Sequence, residues 1–122
     1  MKRTVLKDSI IEYEEYRNIG IITLHLIRNP ELNNNEVKRK ILNLFKNEVM
    51  SKSWIWKDVF SKSYINKEIN DYINGIKNDG PFIVYKNCCI FFGENSISLS
   101  AEKYLIKKFA KDLINFIDNK TL

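Results

Sequence analysis

His25 is the one histidine in the chain, so any histidine-dependent chemistry must run through it. Its candidate partners are Thr23, two residues away on the same face of a strand, and Glu12, Glu14 or Glu15 across a hairpin, where opposed residues come close. A histidine beside a carboxylate can act as a general base. No nucleophile signature accompanies it, and a strand histidine held by a hydrogen bond is the preferred reading. Glu12, Glu14 and Glu15 form the acidic cluster, with Glu12 and Glu14 on one strand face. Paired carboxylates bind metals or divide acid and base roles. No aspartate or histidine recurs at a spacing that supports either role, so no metal is expected and a solvated strand face is preferred. Cys88 and Cys89 are adjacent and, in a strand, point to opposite faces. They supply no zinc spacing and no disulfide framework, which fits a reducing compartment.

Two further groups are suited to binding. Lys103, Lys107 and Lys111 recur at four-residue steps, with Lys108 beside them, and form a ridge that could meet phosphates or an acidic protein surface. Trp54, Trp56 and Phe60 lie among Lys52, Lys57 and Lys62, where aromatics interleaved with cations can stack bases or anchor a protein partner. Solvation of the ridge and core filling by the aromatics are the plain alternatives. Gly20, Gly75, Gly80 and Gly93 are too scattered to cradle a phosphate, and no nucleotide fingerprint is present, so no cofactor is expected.

Composition tempers the basic signal. Ile, Lys and Asn occupy 49 of 122 positions, all three spelled by adenine- and thymine-rich codons, so the Lys excess behind the net charge of +5 reflects an AT-rich genome as much as a ligand. Only four residues are Arg, the side chain that forked phosphate contacts favour. With 44% hydrophobic residues and little Gly or Pro, the chain is suited to a single domain over 1–122 with a real core. No signal peptide or membrane segment is visible, so a cytoplasmic protein is expected.

The elements that must position these groups follow from periodicity. Residues 9–16 alternate as a strand, Arg17-Asn18 makes a tight turn in which Asn takes the left-handed conformation, and 19–27 returns as a β-branched strand covered on both faces and central in the sheet. Asn33, Asn34 and Asn35 supply N-cap candidates for a helix over 36–50 with a stripe of Val37, Ile41, Leu44, Phe45 and Val49. Residues 51–62 fit neither period and read as irregular or a short helical turn. A second helix over 63–78 ends at Gly80-Pro81. Three strands follow, over 82–85, 88–92 and 96–99, and Ser100 caps a final helix over 101–117.

The order β-β-α-α-β-β-β-α with tight turns predicts an α+β fold: a five-stranded antiparallel sheet with helices mainly on one face. The function expected is a small non-enzymatic binding protein that occupies a protein or small-ligand partner, as an immunity protein, antitoxin or inhibitor in conflict between bacteria or with phage. The competing expectation is a nucleic-acid-binding protein or small ribonuclease-type toxin. Two helices followed by three strands is an order seen among such toxins, although the N-terminal hairpin departs from it. Exposed sheet edges would suit a homodimer.

Overall fold

The computed structural model describes residues 2–7, 11–28, 32–53, 59–75, 82–85, 87–93 and 95–119. The chain is α+β. Six strands, β1 (Lys2–Lys7), β2 (Ile11–Tyr16), β3 (Ile19–His25), β4 (Phe82–Tyr85), β5 (Cys88–Phe92) and β6 (Ser96–Glu102), form one antiparallel sheet in the order β1-β2-β3-β6-β5-β4. Three helices, α1 (Asn35–Glu48), α2 (Val59–Ile73) and α3 (Lys103–Asn119), complete the fold.

The expected five strands are six because residues 2–7 pair with β2, Lys2 opposite Glu15 and Arg3 opposite Glu14. A short strand carrying two Lys and an Arg is typical of a sheet edge, where charge discourages further pairing, and it reads in sequence as a charged terminus. The β2–β3 hairpin forms as expected, but the left-handed residue is Arg17, with φ 56°, rather than Asn18. β3 ends at His25, and a 3-10 turn over Leu26–Arg28 replaces its last expected residues.

The final helix starts later than expected. Ser100 is not its cap; it pairs with Ile21 and Cys89 inside β6. The reason is the alternation along this segment: Ile97, Leu99 and Ala101 are buried while Ser96, Ser98 and Ser100 are partly exposed. That period of two keeps the segment extended until Glu102. α2 begins at Val59, ahead of the expected start, after a 3-10 turn over Met50–Ser53. It stops at Ile73 because Gly75, with φ 79°, takes the left-handed position that ends a helix. The expected stop at Gly80-Pro81 lies outside the described residues. α1 is capped as its Asn run predicts: Asn34 Oδ1 accepts from the backbone N–H groups of Glu36 and Val37 at 2.8 and 3.2 Å.

One sheet face lies under the helices. Ile11 and Tyr13 of β2, Ile22 and Leu24 of β3, Ile97, Leu99 and Ala101 of β6, and Cys88, Ile90 and Phe92 of β5 are all buried. Phe109 of α3 meets Phe45 of α1 edge to face at 5.3 Å, and Tyr72 of α2 stacks on Phe92 at 4.2 Å. Gly20 lets α3 approach the sheet: a Cβ built there would stand 3.0 Å from Ile106 Cγ2 and 3.1 Å from Tyr13 Cε1. β3 is central, between β2 and β6. Its second face, expected to be largely covered, is covered in part: Ile19, Ile21, Thr23 and His25 are each of intermediate burial.

Candidate functional site

The side of the sheet away from the helices gathers residues that the sequence spreads over ninety positions. Register places Glu12, Thr23, Ser98 and Phe91 in one row across β2, β3, β6 and β5. The next row holds Glu14, Ile21, Ser100, Cys89 and, on β4, Val84. Thr23 Oγ1 and Ser98 Oγ lie 3.3 Å apart, within hydrogen-bond reach. Val84 is 56% and Phe91 43% exposed, large apolar groups at the β4–β5 end of a hydroxyl-rich surface. This face carries carboxylates at Glu12, Glu14 and Glu102, and the register of β1 sets Arg3 opposite Glu14. Burial pushes the Cys89 thiol up, against a smaller opposing effect of its hydrogen bond with Ser100. Cys88 is buried on the opposite face, as adjacent strand positions require.

His25 finds the carboxylate expected of it. Its Nε2 stands 2.9 Å from Glu12 Oε1, a diagonal pair across the β2–β3 ladder. The distance is that of an ion contact, yet the carboxylate lies off the direction a ring N–H would take, and Nε2 is buried without a directed hydrogen bond. The contact therefore draws little from hydrogen bonding, and Nε2 faces Glu12 rather than solvent. Among the described residues, no group of three His, Cys, Asp or Glu could hold a metal ion.

The basic ridge occupies the exposed side of α3. Lys107 reaches back to the sheet, its Nζ 3.2 Å from Glu15 Oε1, and Tyr13 donates its hydroxyl to the same oxygen at 3.1 Å. The Lys107 hydrogen bond holds the Glu15 carboxyl below the usual range, helped by Tyr13 and by the nearby charge of Lys103. Burial first, then Glu15, pushes the Tyr13 phenol up to about 12. Lys107 is therefore committed to Glu15, Lys103 is partly buried, and Lys111 is exposed. The ridge is less of an open cationic strip than its spacing implies.

A depression of about 510 Å³ opens at the end of the sheet where β6 passes into α3. It is lined by Asn18, Ile19, Asn87, Glu102, Lys103 and Tyr104. Because β6 runs between β3 and β5, the turns that start those two strands flank its last residue. The Lys103 backbone N–H donates to Asn18 O at 2.7 Å, and Asn87 Nδ2 donates to Glu102 Oε1 at 3.4 Å. Of these six residues only Lys103 had drawn attention as a site residue. The other five sit in three unconnected segments, and no spacing in one chain announces that two turns and a helix start converge.

Trp54 and Trp56 lie outside the described residues. Phe60 falls on α2, and its side chain lies outside the described set. No helix among the described residues is long and apolar enough to cross a membrane. No protein-family model matches the chain, and neither a curated protein nor a solved structure matches it.

Proposed function

We propose that this is a binding protein that acts by occupying a protein partner, seated on the open face of the sheet, in the manner of an inhibitor, antitoxin or immunity protein. One observation carries the reading: the helices cover a single sheet face, and the other presents exposed Phe91 and Val84 beside hydroxyls and carboxylates. A sheet is a preorganised platform, so a partner that docks there loses little to ordering. Aromatic anchors within a polar surround are what such interfaces use.

The test is native mass spectrometry of the protein purified gently from its own host, beside a Phe91→Glu variant of unchanged circular dichroism. The expected result is a co-purified protein of defined mass that the variant loses. A partner retained equally by the variant, or an unliganded species from both, overturns the proposal.

A further inference from the structure

We propose that the depression at the end of β6 is a nucleotide site, which adjoins the proposed protein-docking face at Ile19 and Glu102 and is argued from its own lining. The site is built rather than accidental. Asn18 closes the β2–β3 turn and Asn87 the β4–β5 turn, and these are the neighbours of β6 on its two sides. The hydrogen bond from the Lys103 N–H to Asn18 O ties the helix start to one turn, and that from Asn87 to Glu102 ties the strand end to the other. The three segments are thereby held in one arrangement, which is what a pre-formed ligand site requires. Its volume of 510 Å³ lies within the range of about 300–1,000 Å³ typical of small-ligand pockets.

The lining chemistry narrows the ligand. Tyr104 is 67% exposed at the rim, so its ring offers a face on which a planar base can stack. Asn18 and Asn87 carry primary amides, with a donor and an acceptor side by side as base edges require, one Asn87 N–H being already given to Glu102. Glu102 accepts hydrogen bonds, as ribose hydroxyls would supply, and Lys103 brings a positive charge for a phosphate. A neutral sugar would use the amides and the carboxylate but not the Lys103 ammonium, whose charge also acts on Glu15. A nucleotide uses the aromatic, the amides, the carboxylate and the ammonium together.

Amide chemical-shift titration of the whole protein with AMP, GMP, CMP and UMP tests this, with adenosine and glucose as comparisons. Saturable shifts confined to the segments around Asn18, Asn87 and Lys103 are expected. Tyr104→Ala, at an exposed position where the fold has little to lose, should weaken binding at least ~10-fold through the lost stacking. Lys103→Gln should weaken the nucleotides and leave adenosine unchanged. The site is overturned as a nucleotide site if none of the four nucleotides gives saturable shifts there. It is equally overturned if glucose binds as tightly as they do, or if Tyr104→Ala binds undiminished.

Discussion

Tyr13, Glu15 and Lys107 join β2 to α3, and the two titratable groups on the strand make that junction sensitive to pH in opposite directions. Glu15 has a folded pKa below its unfolded value, so its contribution to stability is present above the ordinary carboxylate range and disappears as pH falls through the folded value. Tyr13 has a raised folded pKa, so its contribution is complete below pH 10 and is lost as pH rises towards about 12. Denaturant midpoints across pH should therefore show Glu15→Gln losing to the wild type near neutrality and matching it in acid. Tyr13→Phe should remove part of the alkaline loss. A Glu15→Gln deficit that persists unchanged in acid would show that the carboxylate charge is not what joins β2 to α3. The chemistry of His25 was half legible in the sequence. Period-two alternation and a hairpin were enough to place it against one of three glutamates, but the burial of Nε2 depends on neighbours from other strands.

The elements rest on two backbone positions that a substitution can probe. Gly20 sits beneath α3, and its close neighbours Ile106 and Tyr13 are both buried, so neither can move aside cheaply. Gly20→Val should cost about 2–3 kcal/mol through overpacking, read as a lowered urea midpoint with an unchanged slope. Arg17 holds a left-handed conformation that an L side chain resists, in the first position of a two-residue hairpin turn where glycine is preferred. Arg17→Gly is expected to raise stability by about 1 kcal/mol, measured in the same way, and a lower midpoint would mean that the stacking of Arg17 on Tyr16 outweighs the strain. Boundaries that went astray did so for local reasons. Ser100 has the chemistry of a cap, but the alternation on either side of it outweighs that chemistry, and the charges that disguised β1 are those an edge strand carries.

Across the whole molecule, the lysines of the three helices are partly spent within the fold: burial lowers the pKa of Lys38 and Lys46 of α1, and Lys107 is engaged with Glu15. Binding to single-stranded DNA is accordingly expected only at low ionic strength and should be gone at physiological salt, because phosphate contacts made by lysines alone weaken steeply as salt rises. A filter-binding series against salt measures this. Retention at physiological salt would shift the balance from a protein partner to a nucleic-acid role carried by α3.

Helix stripes, the N-cap at Asn34, the antiparallel hairpins and the α+β class were all written locally, because each depends on neighbours within a few residues and on a period of two or of about 3.6. The pairing of β3 with β6, seventy residues apart in sequence, belongs to the folded chain alone, as do the partly exposed sheet face and the depression where Asn18, Asn87 and Lys103 meet. Such contacts form only when distant segments bury a common core, and one sequence carries no periodicity that specifies which distant strands become neighbours.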